Sequence, residues 1–512
     1  MKTSRMNVVL VIFVLVMTLL AFSHGLLVKW AEAQQPKPGG IIRLGASAPP
    51  RQLDPAKQKQ GEEYLVSEMI FDSLTTIDHE MRVWPALATS WEPSKDMKTW
   101  TFHLRQGVRF HHGRELTAED VIATLQRIKD PATGSPMRTK LAVIERMEAL
   151  DKYTVRFYLA FPYGQLHHIF VRHVSIVPKD KIDTLSTHPI GSGPFKFKEY
   201  IMGDRVIVVK NPEYWEKDRY PVDGVELRIM PERAVAITSL ERGELDAYYD
   251  VPRESIATLK ERKNIILDTG FTGVWDAIAM RNDQPPFNDL RVRQALFYCT
   301  NKEELVKAAL AGYGEPSHSS IPPGHPMFNK SLKFLKQDFK KAKKLLAEAG
   351  YPNGMEMTLY IPSGRASRER LGVAFAEMVK PAGFNFKLQR VPWDKFIADI
   401  EGKATFFVTG WHGRYPIDEQ THPYFHSKGS WNANTWHWSN KRVDELLDRA
   451  RETFSDEERK KCYDEFQQIL RDEGPAIIAY SMPMTMACRD YVRNFKAHPV
   501  MNLTLKDVWL EK

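Results

Sequence analysis

Trp100-Thr-Phe-His-Leu-Arg105, then Gly107-Val-Arg-Phe110, His112-Gly113 and Leu116-Thr-Ala-Glu-Asp-Val121, is the stretch whose reading decides the fold. From Thr99 to Leu104 apolar and polar residues alternate, the period of a strand with one buried face. The period then changes. Thr117-x-x-Asp120 resembles a capping box, in which a hydroxyl and a carboxylate each satisfy a free amide of a helix's first turn. Val121, Ile122, Leu125 and Ile128 follow at helical spacing. A strand running so soon into a capped helix points to a mixed α/β or α+β chain.

The same two signals recur outward from this stretch. Tyr153 to Leu159 and Val225 to Met230 alternate as strands do. Thr300-x-x-Glu303 opens a helix that stops at Gly312. Asp338 can cap a helix with Phe339, Ala342, Leu345, Leu346 and Ala349 on one face and Gly350 as its stop. Ser455-x-x-Glu458 opens another that runs to Gly474. Cys462, Phe466, Ile469 and Leu470 share its apolar face, so Cys462 reads as core, and Cys299 after Ala295-Leu296-Phe297 reads the same way. There is no internal repeat.

At 512 residues the chain suits two or three compact units, and 43% hydrophobic with 27% charged residues excludes a disordered chain. The net charge of +8 comes without a Lys/Arg block, so it makes no case for nucleic acid. Three cysteines make no disulfide framework. The 12 Trp, 18 Tyr and 26 Phe are the surplus to explain, because many stand in polar surroundings.

Lys2 and Arg5, the apolar run of residues 8–22 and the small-x-small site Ala31-Glu32-Ala33 have the order of a secretory signal over residues 1–33. The alternative is an uncleaved anchor, since the apolar run extends to Val28 across Ser23, His24 and Gly25. No cysteine lies nearby for lipid attachment, and cleavage leaves a net charge of +6 (8 less Lys2, Arg5 and Lys29, plus Glu32). The expected location is the periplasm. Residues 34–40 read as a short flexible leader.

Catalytic motifs are absent. There is no H-E-x-x-H, no phosphate-binding glycine loop and no G-x-S-x-G elbow. The adjacent pairs His111-His112 and His167-His168 point apart on a strand and make poor metal chelates. His422 and His426 are four apart, but Pro423 between them argues for a loop, so no metal and no cofactor is expected.

The block from Pro85-Ala86-Leu87-Ala88 through Trp91 to Val121 resembles the signature of the family 5 extracellular solute-binding proteins, the peptide/nickel-binding components of ABC importers. Further stretches carry the likeness in order: Gly191-Ser-Gly-Pro-Phe195, Asn211-Pro-Glu-Tyr-Trp215, Gly243-Glu-Leu-Asp-Ala247, Pro286 to Ala295, Ala342 to Pro352, and Ser439-Asn440 with Val443-Asp444 and Leu446-Leu447. The resemblance implies an α/β, two-lobed periplasmic-binding-protein fold of the Venus-flytrap kind, the large type with an extra subdomain in lobe one. Lobe one would hold residues 34–280, with the extra subdomain at about 47–187, and residues 480–512 on return; lobe two would hold 281–479. Arg281 to Pro286 and Ile478 to Pro483 are the expected crossings, with ordinary loops as the alternative. The implied role is capture of a peptide or peptide-like solute by a monomer, without catalysis, and delivery to an ABC permease and its ATPase. A non-peptide solute (an anionic compound, an opine, an oligosaccharide or a metal chelate) or an exported enzyme are the alternatives.

Peptide binders of the family carry an Asp three residues after a Trp, where it pairs with the peptide's ammonium. Here Gly410-Trp411-His412-Gly413-Arg414-Tyr415 puts Arg414 at that position. A guanidinium there suits a carboxylate or phosphate, unless it pairs with a protein carboxylate such as Asp418 or Asp250. The other expected ligand contacts are Trp411, His412, Tyr415, Trp431, Trp275 and the run Tyr248-Tyr249-Asp250, with Trp436 and Trp438 close by. Their rings could stack on solute, or lie as satellite core under loops.

Overall fold

Two long neighbouring strands, β1 (Ile265–Met280) and β3 (Ala476–Arg489), organise the molecule. They pair antiparallel from Ile265↔Arg489 to Ala279↔Ala476, with a register shift between Phe271 and Trp275. The computed structural model describes residues 38–500 and 503–511, so the secretory signal expected at 1–33 lies outside the described residues and the expected leader largely so.

β1 and β3 sit in the middle of an 11-stranded sheet. On one side β1 pairs with β2 (Phe406–Trp411), then come Met355–Pro362 and Phe384–Val391; on the other β3 meets Ala247–Tyr248, then Ile41–Ala46, Gly224–Ile229, Arg205–Lys210 and Phe195–Ile201. One core gathers Ile42, Leu44, Val206, Val225 and Met486 at the second group of strands. Another gathers Ile278, Met280, Leu296, Leu359, Phe375 and Phe406 at the first. Each end of the ribbon is thus anchored in its own dry cluster, which is the physical basis of two halves.

A separate antiparallel sheet, ordered Ala88–Pro93, Thr99–Leu104, Thr154–Leu159 and Ile144–Asp151, carries the stretch read first. Trp100, Phe102 and Leu104 are its buried positions, and the helix Ala118–Lys129 covers them with Val121, Leu125 and Ile128. The Thr117 amide donates to Asp120 Oδ2 at 3.0 Å, and Arg114 reaches the same buried carboxylate at 2.6 and 3.0 Å.

The helix expected from Thr300 is Lys302–Leu310; its cap is Asn301, whose side chain accepts the Glu304 amide, and it ends on Ala311 and Gly312, both left-handed. Pro423 does not force a loop. It lies inside α1 (Asp418–Phe425), which packs on α2 (Lys441–Glu452) and leads on to α3 (Asp456–Glu473). Cys462 and Cys299 are buried and free.

Candidate functional site

The loop holding Arg414 leaves the end of β2, and its shape follows from crowding beneath it. Trp275↔Trp411 and Asp276↔Gly410 are cross-strand partners. A Cβ on Gly410 would lie 2.1 Å from Asp276 Oδ1, and one on Gly413 would lie 2.7 Å from Gly273, so only glycine fits at either place. Asp276 is 1% exposed and accepts from Arg368 Nε at 2.9 Å, Ser367 Oγ at 2.9 Å and the Tyr480 hydroxyl at 3.1 Å. Arg368 also donates to the Gly410 carbonyl at 2.7 Å. Buried Gln420 on α1 closes the loop: its Oε1 accepts the Arg414 amide at 2.9 Å, and its Nε2 donates to the Gly273 and Ser320 carbonyls.

With its backbone fixed, Arg414 turns its side chain outward. It is exposed, and its guanidinium carbon is 5.8 Å from the centroid of the Trp431 ring. The alternative pairing of Arg414 with Asp418 or Asp250 is not formed. Asp418 binds Arg451 at 3.0 Å and Asp250 binds Arg233 at 3.0 Å. Among the described residues no carboxylate lies within ion-pair distance of Arg414. Next to it, exposed His412 is pushed below its usual value by the surrounding protein and by the cations Arg368, Arg365 and Arg414. The loop surface is electropositive, and Asp276 beneath it is already engaged by Arg368.

Tyr415 points the other way. Its ring packs with Ile77, Met81, Val171 and Val500 of the first half, and its hydroxyl hydrogen-bonds His168 Nδ1. Burial drives Tyr415 well above and His168 well below their usual values, so both are neutral and the bond joins uncharged groups. The halves also meet where the Gly164 amide donates to the Arg451 carbonyl at 2.8 Å and Phe454 stands edge-on to Trp100 at 5.6 Å.

The rings expected to stand free for stacking are mostly core. Trp275 and Trp411 are 1% and 7% exposed, with ring centroids 4.7 Å apart, and Tyr424, Phe425, Trp436 and Trp438 complete their cluster. Strand alternation explains this, because cross-strand partners share a face. Tyr248 is fully buried against Leu240, Leu245 and Leu259. Trp431, Tyr249 and Asp250 keep part of their surface.

Residues that the sequence did not single out complete the surroundings. Lys140 donates to the Arg172 carbonyl at 3.2 Å; burial brings it down to about 7, with Glu419 on α1 pulling up and Arg172 pulling down. Burial pushes Glu68 up to about 7 against the opposing charge of Arg172. Asp276 was the one with a usable signal, a carboxylate inside the apolar strand Trp275-Asp-Ala-Ile-Ala279. A cavity of 710 Å³ lies elsewhere, within the first half, lined by Asp72, Arg105, Trp215, Arg219 and His498, and it takes in none of the expected ligand contacts.

Fold and site together define a two-lobed α/β solute-binding protein. The profile of the bacterial extracellular solute-binding proteins, family 5 Middle, matches residues 82–433, and the chain belongs to that family. Relatives include the glutathione-binding protein GsiB of Escherichia coli K12, 28% identical over 474 residues that cover 90% of this chain and 92% of that one. Among solved structures, the periplasmic binding protein DppA of Helicobacter pylori in complex with the peptide STSA is 26% identical with a TM-score of 0.73, covering 93% of this chain and 99% of that one. AgaA of A. tumefaciens R10 in complex with agropinic acid is 27% identical with a TM-score of 0.72, covering 92% and 99%. No helix among the described residues is long and apolar enough to cross a membrane.

Proposed function

We propose that this chain captures a peptide or peptide-like solute bearing a free carboxylate between its two lobes and hands it to an ABC permease driven by its ATPase. The observation that carries the carboxylate is Arg414: exposed, without an ion-pair partner among the described residues, and set among His412, Arg365 and Arg368. A guanidinium on a fixed backbone and without an ion-pair partner suits two-point contact with a carboxylate. Trp431 below it offers a ring face, and Tyr249 and Asp250 are the contacts from the first lobe, where Asp250 can take the solute's ammonium. The glutathione and peptide named for the relatives are solutes of this chemistry.

The lobes are joined by β1 and β3, and we place the crossing at the register shift between Phe271 and Trp275, opposite Ser481 to Pro483. Ile278 and Met280 share a core with Leu296 and Leu359, which supports a change of lobe before Arg281. Solute touching both lobes favours the closed form, and moving that balance from 1:99 to 99:1 takes about 5.5 kcal/mol of differential affinity. Delivery follows export by a cleaved signal at residues 1–33 into the periplasm, as a monomer. The role is capture without catalysis.

Native mass spectrometry of the purified protein, followed by calorimetric titration of a tripeptide and its C-terminal amide, tests this reading. Co-purified solute of intact mass and at least tenfold weaker binding of the amide are expected. Equal affinity for acid and amide removes the carboxylate from the proposal, and a solute recovered chemically altered would restore an enzyme.

A further inference from the structure

α1 ends in a feature that solute capture does not use. His422 lies in its last turn and His426 is the residue that stops it, with its amide donating to the His422 carbonyl at 3.1 Å. One helical turn apart, the two imidazoles stack at 4.3 Å with 14° between their planes. Both turn Nε2 toward the same atom, Asp448 Oδ1 on α2, at 3.3 Å from His422 and 3.4 Å from His426. The three atoms lie within 4.8 Å of one another, and no second group of this kind occurs among the described residues.

These distances are long for charge-assisted hydrogen bonds, which run at about 2.7–2.9 Å. The two distances to Asp448 are those of ligand atoms around an ion, and the stacked rings reach a common ion by turning out of parallel, since each imidazole donates in its own plane. Bonds of about 2.0–2.1 Å at tetrahedral angles put neighbouring donors about 3.4 Å apart. Two imidazoles four residues apart are also a recurrent helical chelate. The frame is rigid. Asn432 Nδ2 holds the His426 carbonyl at 2.9 Å, and a Cβ on Gly429 would lie 2.4 Å from the Pro423 carbonyl, so the turn after α1 closes tightly. Asp448 is half exposed, leaving one side of the triad open to water.

We propose that His422, His426 and Asp448 form a site for a borderline divalent transition metal, Zn²⁺ being the probe, with its fourth position open to solvent. Nitrogen and oxygen donors of this kind suit zinc and its neighbours rather than magnesium or calcium. Binding requires a proton to move. His426 Nδ1 accepts the Lys428 amide at 3.0 Å, so the neutral ring carries its proton on Nε2, where the ion must sit. In the loaded site the ring carries its proton on Nδ1 instead, where the Lys428 amide no longer finds an acceptor and Asp444 Oδ1, now 3.8 Å away, is the nearest carboxylate toward which the N–H can turn. Ser427 already fixes Asp444 through its amide at 2.7 Å and its hydroxyl at 2.5 Å, giving the imidazole a carboxylate behind it.

Zn²⁺ titration by calorimetry into the full chain, purified without a histidine tag, tests the site. The expected result is one Zn²⁺ bound in the wild type and at least tenfold weaker binding in Asp448→Asn, whose solute affinity stays unchanged. Asp448 is exposed, so this variant folds; Asp444→Asn weakens the ion by a smaller factor. Cobalt gives an independent reading, as a visible absorption band of tetrahedral type that Asp448→Asn abolishes. No Zn²⁺ bound by the wild type, or identical affinity in wild type and Asp448→Asn, overturns the proposal.

Discussion

Arg368 and Asp276 form a buried ion pair, 2.9 Å from Nε to Oδ1, directly under the Arg414 loop, and Arg368 uses its other nitrogen to hold the Gly410 carbonyl. One arginine therefore neutralises a buried acid and sets the height of the loop. Arg368→Ala leaves the buried Asp276 without its cation, with only the Ser367 and Tyr480 hydroxyls as partners, at a cost of about 3–5 kcal/mol. Urea denaturation will show this as a lowered midpoint, with solute affinity falling as well. The double variant with Asp276→Asn should recover part of the stability and none of the affinity.

Arg414→Gln should weaken an acidic solute by roughly 10- to 150-fold, the worth of a hydrogen bond to a charged partner. Stability should be unchanged, since the side chain has no ion-pair partner in the protein to lose. Calorimetry on the acid and on its amide separates the two: the variant loses affinity for the acid and little for the amide.

Gly164→Ala tests closure. Its Cβ would lie 2.1 Å from the Thr453 carbonyl, across the meeting of the two halves. The expected outcome is a larger radius of gyration in X-ray scattering at saturating solute, and at least tenfold weaker binding. Apo thermal stability should remain near wild type.

Stability should fall as pH rises from about 4.5 to about 7, in part through Glu68. Burial lifts this carboxyl to about 7 in the folded protein, while the unfolded chain titrates at its ordinary value. Across that window the native state holds the extra proton, so folding is favoured at the acid end and loses that contribution as Glu68 ionises. Asp72, lifted by burial to about 6, acts in the same direction. Glu68→Gln should flatten the decline in urea midpoint between pH 5 and pH 7.

The elements legible in the sequence were those that local chemistry dictates. The Thr117 capping box, the alternation of Thr99–Leu104 and the cap at Asp338 all recur in the structure, because each depends on neighbours a few residues away. The segment after Trp411 was not legible. Pro423 and a run of Gly, Asn and Ser read as loop, yet α1 forms there, since packing of Tyr424 and Phe425 against Trp275 and Trp436 outweighs the lost amide. Arg414 was singled out by position alone. That Asp418 and Asp250 are taken by Arg451 and Arg233 depends on partners far away in the chain, which no spacing rule discloses.

Arg414 and Tyr415 are consecutive residues facing opposite ways, one toward solvent and one into the first half beside His168. A short backbone pinned by Gln420 cannot move one without the other. Under the proposed function, solute held by Arg414 would act through this backbone on Tyr415 and its contact with His168. One short stretch of chain would then serve both the grip on solute and the contact between the halves, so a substitution that loosens Tyr415 from His168 is expected to weaken solute binding too.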